Sequence, residues 1–561
     1  MNDKPSSFLR WRFYFILIVF FLVTGVLIGR LVYLTVLDHP FLLKQGNARS
    51  LRVIQTPAYR GMILDRRGDS LAISTPVDSV WINPKDFPDT RDNVLPLTKA
   101  LGISVAQVRD LLKRYSTKEF AYLKRGVTPD VAKKIQELAI PGVYLQRGYR
   151  RYYPTGAVAS QELGFTNVDD QGQEGLELAY DNWLAGEPGE QRVLKDRYGQ
   201  VVANIAELSP GKPGRDLTVS LDNRIQYLAY SVLASTVREY GAESGSIVVL
   251  NPKTGEILAM TNYPSFNSNQ RVTKKNKSMR NAAETDMFEP GSTMKTFSIA
   301  SALDSGKYTA HSIIHTAPGY LKVEKNIVRD EENNGDITVT QVLQKSSNVG
   351  VTQMTLSLPP EHFVDLLRRV GFGDQTQDGF PGESPGKLSD SKEWRPFELA
   401  TLAFGYGISI TPIQLAQAYE IVANDGLHCP LTFLKRDTVV TCSRAMDEKA
   451  ARSMLAMLET VVTNDGTGFK ARLKDYRVAG KTGTAYVAGQ HGYNWRNVNS
   501  SFVGIAPVSD PQLVVAVVIR KPHKSHYGAD VAAPAFSAVM SGALHFLNVP
   551  SDKLMNGQVS V

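Results

Sequence analysis

A serine and a lysine three residues apart can carry acyl-transfer chemistry when a helix holds both on one face, because the amine can then accept the seryl proton. The sequence contains four Ser-x-x-Lys matches: Ser209 with Lys212, Ser292 with Lys295, Ser384 with Lys387, and Ser389 with Lys392. The first and third read SPGK, in which proline and glycine disfavour the helix that makes the spacing useful. The fourth, SDSK, lies in a polar stretch that predicts a loop.

The remaining match, in FEPGSTMKTFSIASAL, has the context that the chemistry needs. A Pro-Gly break precedes Ser292, and the apolar spacing that follows predicts a helix that opens at this serine. We expect four side chains to bury that helix: Met294, Phe297, Ile299 and Leu303. Backbone N–H groups at a helix N-terminus also point towards a developing oxyanion. Taken alone, Ser292 has an alternative interpretation as the N-cap of this helix.

Two further patterns each occur twice. Ser-x-Asn occurs as Ser265 to Asn267 in a predicted loop and as Ser346 to Asn348 at the end of a helical segment. Lys-Thr-Gly occurs in NPKTGEIL, where Pro-Lys-Thr-Gly predicts a hairpin turn with Lys253 facing solvent. The second copy, in YRVAGKTGTAYV, predicts a strand that places Lys481 at the edge of a cleft. There a lysine could bind a carboxylate, and Gly483 would allow a ligand close to the backbone.

The copies supported by their context follow one order: Ser292-x-x-Lys295, Ser346-x-Asn348, then Lys481-Thr482-Gly483. In that order they resemble the three motifs of the penicillin-binding proteins, which line a single cleft. RGMILDRRGDSLA (60–72) resembles the start of the N-terminal pedestal of class B members, the single-function transpeptidases. Further segments similar to their catalytic domain are GFPGE (379–383), GYGISITPIQLAQAY (405–419) and HYGADVAAPAF (526–536). Three residues depart from the usual pattern: Ala282, Thr296 and Ala529.

The resemblance implies a role for each motif residue. Ser292 would attack the carbonyl between the two terminal D-alanines of a peptidoglycan stem peptide and form an acyl-enzyme, with Lys295 as its base. Ser346 would relay the proton, and Asn348 would hold the peptide amide. The substrate carboxylate would be bound by Lys481, Thr482 and Thr484, and Gly483 is a further expected substrate-binding residue. The backbone N–H groups of Ser292 and Thr484 would form the oxyanion hole.

A lysine with its ordinary pKa is a poor base at neutral pH. Deprotonating it at pH 7 costs about 4.6 kcal/mol. We therefore expect burial, and a second cation nearby at Lys481, to lower the pKa of Lys295.

The N-terminus predicts a membrane anchor. Residues 13–29 carry no charge, and an apolar run from Phe13 to Leu37 is long enough to cross a bilayer. Basic residues precede it, which places tail 1–12 in the cytoplasm and the bulk of the chain outside the bacterial cytoplasmic (inner) membrane. The alternative is a cleaved signal peptide, whose apolar core would be shorter and would end at small residues.

We expect residues 40–215 to form an elongated mixed α/β pedestal that serves as an interaction domain. AELSPGKPGRD (206–216) predicts a linker to the catalytic domain at 216–548, and 549–561 a tail. The catalytic domain has helical patterns in its middle and strand patterns at both ends, which favours an α+β fold on one antiparallel sheet with a helical cluster, as in penicillin-binding transpeptidases.

The composition and motifs argue against a nucleic-acid partner, a metal site and a cofactor. The formal charge of +8 comes from scattered basic residues, and the densest run (271–280) predicts a solvated loop, so we expect no nucleic-acid partner. No metal-ligand spacing or cofactor motif is found, so we expect no metal and no cofactor. Whether Cys429 and Cys442 are bridged stays open.

The resemblance implies partners and a cellular role. The partners are stem peptides, β-lactams bound covalently at Ser292, a membrane-embedded glycan polymerase and other division proteins. One anchor followed by LDHPFLLKQGNARSLRV resembles the division-specific subgroup that builds septal peptidoglycan. Two alternatives are a β-lactam-hydrolysing or sensing serine enzyme and a non-catalytic division scaffold.

Overall fold

The computed structural model describes residues 7–196, 201–270, 277–389, 394–489 and 492–553. The chain divides into two compact units. Unit 1 comprises three segments: Met1–Tyr59, Pro76–Tyr149 and Gly186–Pro213. Unit 2 comprises the other three: Arg60–Thr75, Arg150–Ala185 and Gly214–Val561. Most of the predicted basic loop, residues 271–276, and most of the predicted tail, residues 554–561, lie outside the described residues.

Unit 1 begins with the apolar helix that the sequence predicts. An α-helix over Ser7–Val32 continues into a π-helical turn at Tyr33–Leu37, and a second helix follows at His39–Ser50. The apolar stretch Arg10–Leu37 is 28 residues long, and none of its most apolar window is buried by the rest of the chain. At 1.5 Å per residue it extends about 42 Å, more than the ~30 Å hydrocarbon core of a bilayer.

The rest of unit 1 contains a three-stranded antiparallel sheet and a helical layer. The sheet pairs Gly189–Lys195 with Leu51–Thr56 on one side and Val201–Ser209 on the other. The helices Arg91–Leu101, Val105–Arg114 and Pro129–Glu137 share an apolar core with strand Ala121–Val127. Unit 1 thus contains both helices and strands, as the predicted mixed α/β pedestal requires.

The predicted linker at 206–216 begins too early. Glu190 pairs with Ser209, so residues 206–209 (AELS) still belong to a strand. The pairing ends at Pro210, because proline has no N–H to donate. Two long strands, Ser70–Ile82 and Val143–Tyr152, contribute residues to both units, and segments 60–75 and 150–185 of the predicted pedestal belong to unit 2.

Unit 2 is built on a five-stranded antiparallel sheet. Its strands lie in the order Ile257–Tyr263, Ser244–Leu250, Leu513–Arg520, Gly492–Ala506, Ala479–Gly489. The first two form the predicted hairpin, whose turn holds the first Lys-Thr-Gly: Gly255 has φ +68°, and the exposed Lys253 Nζ lies 2.6 Å from Asp510 Oδ1. The predicted α+β fold, with strands from both ends of the domain in one sheet, is confirmed.

Both faces of this sheet are buried, which explains why its strands are almost continuously apolar. Val515, Val517 and Ile519 join one core with helices Asn223–Tyr240 and Gly528–Phe546. Alternate residues of the same strand point to the other core. That second core contains the buried helix Pro412–Ala423 and, against it, Glu448–Val461 and Lys295–Asp304.

The remaining helices of unit 2 are Ser160–Leu163, Gly175–Ala179, Asp181–Leu184, Ala282–Thr285, Val339–Gln344, Asn348–Leu356, Pro360–Arg369 and Pro396–Ala403, with 3-10 turns at Lys277–Met279, Gly291–Met294 and Phe469–Ala471. Its short strands are Ile63–Leu64, Phe165–Thr166, Gly172–Glu174, Leu217–Thr218, Ile313–His315, Tyr320–Val323, Asn326–Arg329, Asp336–Thr338, Leu427–His428 and Ser443–Arg444. Cys429 and Cys442 form a disulfide, which resolves the pairing that the sequence left open.

A buried ionic cluster joins the N-terminal segments of unit 2. The Glu177 carboxylate accepts hydrogen bonds from Arg60 Nε at 2.8 Å and Arg151 Nε at 2.6 Å, and all three side chains are at most 2% exposed. Arg60 also reaches Asp181, and Arg151 reaches the Gly61 carbonyl. The Glu177 carboxylate therefore pairs with both buried guanidinium groups, and Asp181 gives Arg60 a second partner.

Replacing Glu177 by glutamine should destabilise unit 2 strongly. Breaking a buried ion pair by removing one partner typically costs about 3–5 kcal/mol, because the other charge stays buried. The measurement is the thermal unfolding midpoint of the full-length protein in detergent. Glu187→Gln is the matched control, since Glu187 and its partner Lys212 are both exposed and such a pair contributes about 1 kcal/mol or less. Equal midpoints for the two variants would contradict the role of the cluster.

Candidate active site

Ser292 lies on a short connection between a loop and a buried helix. Gly291–Met294 form a 3-10 turn, and the α-helix begins at Lys295 and runs to Asp304. The predicted helix start at Ser292 is therefore a tighter turn that leads into an α-helix. Ser292 is partly exposed, whereas Met294, Phe297 and Ile299 are fully buried as expected, and Leu303 is only half-buried.

Backbone packing fixes this turn. Gly291 has φ +56°, and its N–H donates to the Gly405 carbonyl at 3.1 Å. A Cβ on Gly291 would lie 2.9 Å from the Thr484 carbonyl oxygen, and a Cβ on Gly405 would lie 2.1 Å from the Gly291 carbonyl oxygen. The strand that carries Thr484 can approach the serine turn so closely only because these positions have no side chain.

Lys295 extends from the first turn of the helix towards the Ser-x-Asn motif. Its side chain is buried, with 1% of the residue exposed. Its Nζ donates to the Ser346 carbonyl and lies 3.0 Å from Ser346 Oγ. Ser346 has φ +59° and occupies the bend between helices Val339–Gln344 and Asn348–Leu356. The left-handed conformation directs both its carbonyl and its hydroxyl to one amine.

Lys481 reaches the same hydroxyl from a strand of the sheet. Its strand, Ala479–Gly489, is the last in the sheet order and pairs only with Gly492–Ala506 among the described strands, as the predicted edge requires. The fully buried Nζ lies 3.1 Å from Ser346 Oγ and 3.3 Å from the Thr482 carbonyl. Thr482 Oγ1 in turn lies 3.2 Å from Thr467 Oγ1.

The environment lowers the pKa of both amines. Burial lowers the pKa of Lys295 to about 7, although the carboxylates of Asp330 and Glu331 act in the opposite direction. Burial, and next the charge of Lys295, hold the pKa of Lys481 well below its usual range. The predicted lowering for Lys295 is confirmed with burial as its cause, while the repulsion between the two amines acts on Lys481.

The motif residues that follow Lys481 pack against the serine turn. A Cβ on Gly483 would lie 2.2 Å from Ser501 Oγ and 3.0 Å from the Pro290 carbonyl oxygen, so the glycine is needed for this internal packing. Thr484 Oγ1 accepts a hydrogen bond from the Gly528 N–H at 3.2 Å. Gly528 is close-packed too, because a Cβ there would lie 2.4 Å from the Gly483 carbonyl oxygen.

Asn348 begins the helix that follows Ser346. Its side-chain Nδ2 donates to the Arg329 carbonyl at 2.9 Å, which leaves the side-chain oxygen to accept a hydrogen bond. The residue is half-buried.

The other copies of the motifs have different surroundings. Ser209 is exposed on a strand, and Lys387 forms a backbone bridge with Ser409. Ser265 bonds to the Ala157 carbonyl and to Ser160. Lys392 lies outside the described residues.

Sequence reasoning missed residues that reach the site through long-range packing. They include Thr467, Gly405 and Tyr419, whose hydroxyl donates to the Thr293 carbonyl at 2.9 Å. The segment GYGISITPIQLAQAY contains two of them, but its sequence alone does not indicate what they touch. Within the described ranges, no group of three His, Cys, Asp or Glu side chains could hold a metal ion.

Comparison with known proteins places this geometry in a family. Residues 245–541 match the penicillin binding protein transpeptidase domain, and residues 55–219 match the penicillin-binding protein dimerisation domain. A probable peptidoglycan D,D-transpeptidase, PbpC of Pseudomonas aeruginosa, is 41% identical over 98% of this chain and 97% of its own length. The peptidoglycan D,D-transpeptidase FtsI of Escherichia coli K12 is 39% identical over 99% of this chain and 95% of its own.

Solved structures of penicillin-binding proteins are similar to this chain in fold. Penicillin binding protein 3 of Mycobacterium tuberculosis complexed with aztreonam has a TM-score of 0.68 at 26% identity, covering 89% of this chain and 98% of that one. The transpeptidase domain of penicillin-binding protein 3 from Burkholderia pseudomallei, 37% identical, covers 60% of this chain and 97% of that one with a TM-score of 0.56. With both domains matched and the three motifs gathered around one serine hydroxyl, the chain belongs to the class B penicillin-binding proteins.

Proposed function

We propose that this protein is a serine-type peptidoglycan D,D-transpeptidase that cross-links stem peptides through an acyl-enzyme at Ser292 and is acylated there by β-lactams. The observation that carries the proposal is the position of Ser346 Oγ, 3.0 Å from Lys295 Nζ and 3.1 Å from Lys481 Nζ. All three motifs therefore meet at one hydroxyl. Ser292 is partly exposed and lies on the 3-10 turn that directly precedes the helix of Lys295.

Acylation begins with proton transfer from Ser292 to a neutral Lys295. The serine oxygen attacks the carbonyl carbon between the two terminal D-alanines, and the C–N bond breaks as the leaving nitrogen gains a proton. Ser346 can pass this proton on, since its hydroxyl contacts both amines. The products are an ester on Ser292 and free D-alanine. An amine of a second stem then attacks the ester carbonyl, and the C–O bond to Ser292 breaks. The proton that the amine loses returns through Lys295 to the serine oxygen, and the new amide is the cross-link.

The substrate carboxylate sets the protonation of the two lysines. Their nitrogens lie within about 6 Å of each other, where two buried positive charges disfavour one another. An incoming carboxylate held by Lys481, Thr482 and Thr484 stabilises the proton on Lys481. Lys295 is then the amine that stays neutral, which is the form that a base requires.

The oxyanion and the peptide are held by backbone and amide groups. The N–H groups of Ser292 and Thr484 stabilise the tetrahedral oxyanion, and one such donor is typically worth about 2.7–4 kcal/mol. Gly291 keeps the two segments in contact. Asn348 offers its side-chain oxygen to the N–H of the donor peptide. The free edge of strand Ala479–Gly489 lets the extended stem lie alongside as a further strand.

The relatives and the N-terminal helix support a proposed cellular role. We assign the protein to septal wall synthesis during division, as a single-pass protein of the cytoplasmic membrane with its N-terminus inside. The Cys429–Cys442 disulfide supports an extracytoplasmic catalytic domain, because disulfides persist in oxidising compartments. The dimerisation domain is the proposed contact for a membrane-embedded glycan polymerase and other division proteins. That domain and the anchor favour a transpeptidase over a β-lactam-hydrolysing or sensing enzyme.

Ser292→Ala should abolish covalent labelling by a fluorescent penicillin. The full-length protein in detergent is incubated with the probe, and the labelled band is followed on a denaturing gel over time. The wild type should give a slowly decaying label, and the control Ser209→Ala, an exposed serine in another Ser-x-x-Lys, should label normally. A label that survives Ser292→Ala would refute the assigned nucleophile. An unlabelled wild type would favour the non-catalytic scaffold.

The rate of acylation should rise with pH and level off above about 7.5. Only neutral Lys295 can accept the seryl proton, and burial lowers its pKa to about 7. Below pH 7 the fraction of neutral Lys295 falls about tenfold for each pH unit, and above pH 7 the neutral form already dominates. The measurement is the second-order rate constant of penicillin acylation between pH 5.5 and 9. A rate that still climbed tenfold per unit at pH 9 would indicate a lysine with its ordinary pKa.

Lys481→Ala should lower the second-order rate constant of acylation by at least about 100-fold, since both carboxylate binding and proton relay are lost. The control is Lys253→Ala, which removes the lysine of the other Lys-Thr-Gly, an exposed residue paired with Asp510. Lys253→Ala should acylate at the wild-type rate. An unchanged rate in Lys481→Ala would remove Lys481 from the mechanism.

A further inference from the structure

One carboxylate outside the three motifs holds the Ser-x-Asn turn in place. Asp330 Oδ1 accepts the backbone N–H groups of Asn348 at 2.5 Å and Val349 at 2.9 Å. Its Oδ2 accepts the hydroxyl of Ser347 at 2.5 Å and a weaker bond from Asn334 at 3.4 Å. Both carboxylate oxygens are therefore used, and three of the four donors belong to the residues directly after Ser346.

These contacts satisfy the first N–H groups of helix Asn348–Leu356, which have no partner inside the helix. Ser347 already serves as the N-cap, because its Oγ accepts the Gly350 N–H at 2.9 Å. Asp330 thus adds a second, charged cap and also orients the Ser347 hydroxyl. A negative charge at this end is further favoured by the helix dipole.

This cap also constrains the backbone conformation of Ser346. A serine with φ +59° is in an uncommon conformation that persists only when its surroundings impose it. The bond from the Ser347 N–H to the Val342 carbonyl fixes the chain on the side of the preceding helix, and Asp330 fixes it on the side of the next. Ser346 Oγ lies between Lys295 and Lys481 as a result.

Asp330 itself is held by backbone. It directly follows strand Asn326–Arg329, and its N–H donates to the Gly319 carbonyl at 3.0 Å. The same strand end supplies the Arg329 carbonyl that accepts the Asn348 side-chain amide. Ser347 and Asn348 are thus both attached to the end of one short hairpin.

We propose, on the basis of the transpeptidase function above, that Asp330 is a positioning residue: it holds the Ser-x-Asn turn and places a negative charge near Lys295. The amines of Lys295 and Lys481 contact Ser346 Oγ. The carboxylates of Asp330 and Glu331 act on Lys295, and Glu331 also acts on Lys481. Of these two carboxylates, Asp330 also accepts hydrogen bonds from the Ser-x-Asn turn.

The charge has a measurable consequence that a neutral cap would lack. The carboxylate of Asp330 raises the pKa of Lys295 against the effect of burial. Removing the charge should therefore lower the midpoint of the pH profile for acylation, while removing the hydrogen bonds should lower the rate at every pH. A plain helix cap would change the rate or the stability without moving the midpoint.

The experiment compares Asp330→Asn and Asp330→Ala with the wild type, using full-length protein in detergent and a fluorescent penicillin. Asparagine keeps one oxygen for the N–H groups of Asn348 and Val349 but carries no charge. Asp336→Asn is the matched control, since Asp336 is exposed and pairs with His315. For each variant the second-order rate constant is measured from pH 5.5 to 9, and the thermal unfolding midpoint is recorded.

In Asp330→Asn the pH midpoint should fall by about one unit and the plateau rate by about tenfold or less. Asp330→Ala should show the same direction of pH shift and a larger loss of rate, and Asp336→Asn should match the wild type. Unchanged midpoints in both Asp330 variants would overturn the proposal, whether or not their rates or stabilities fall. If the pH midpoint of Asp330→Asn equals that of the wild type while Ser292→Ala still abolishes labelling, this inference is refuted. The proposed transpeptidase function would then still stand.

Discussion

Two buried amines that share one serine hydroxyl impose the main physical constraint on this catalytic domain. At an effective dielectric constant near 20, two positive charges within about 6 Å of each other repel by at least about 3 kcal/mol. Burial disfavours each charge further, so the pair holds at most one proton near neutral pH and titrates as a unit. In the proposed mechanism, this shared proton is what allows one lysine to act as a base while the other faces a carboxylate.

That arrangement depends on three segments being held close together. The turn at Ser292, the segment at Gly405 and the strand at Gly483 pack backbone against backbone, with no room for a Cβ. Behind them, the sheet is buried on both faces and the helix Pro412–Ala423 is buried along its whole length. A close-packed core resists small displacements, and a shift of one ångström at Ser346 would lengthen two of the contacts on which the chemistry depends.

The sequence predicted the parts of this site that are local. Ser-x-x-Lys in a helical context, Ser-x-Asn after a helix and Lys-Thr-Gly in a strand each follow from periodicity and turn signals within about fifteen residues. The hairpin around Lys253 and the strands at the C-terminus were predictable for the same reason. The order of the motifs then identified the family, although no local rule shows that three such motifs meet in space.

The parts that could not be predicted depend on contacts between distant positions. Asp330 reaches a turn that begins sixteen residues later, and Gly405 approaches Gly291 across more than a hundred residues. Nothing in the residues around Ser346 predicts its left-handed conformation, because the capping carboxylate that stabilises it comes from another element. The 3-10 turn at Ser292 is likewise set by the Gly405 segment packed against it, whereas a helix prediction uses only the sequence that follows the serine.

An exposed strand edge is usually a hazard, since its free N–H and C=O groups can pair with another chain. Here the edge strand Ala479–Gly489 borders the serine turn, and its neighbour at Gly528 packs against Gly483. In the proposed mechanism, backbone groups on this edge pair with an extended stem peptide, whose carbonyl then faces Ser292, although the Tyr486 N–H already donates to the Tyr406 hydroxyl at 3.3 Å. The packing that buries Lys481 and lowers its pKa also fixes this edge, so in that mechanism the same packing aligns the substrate.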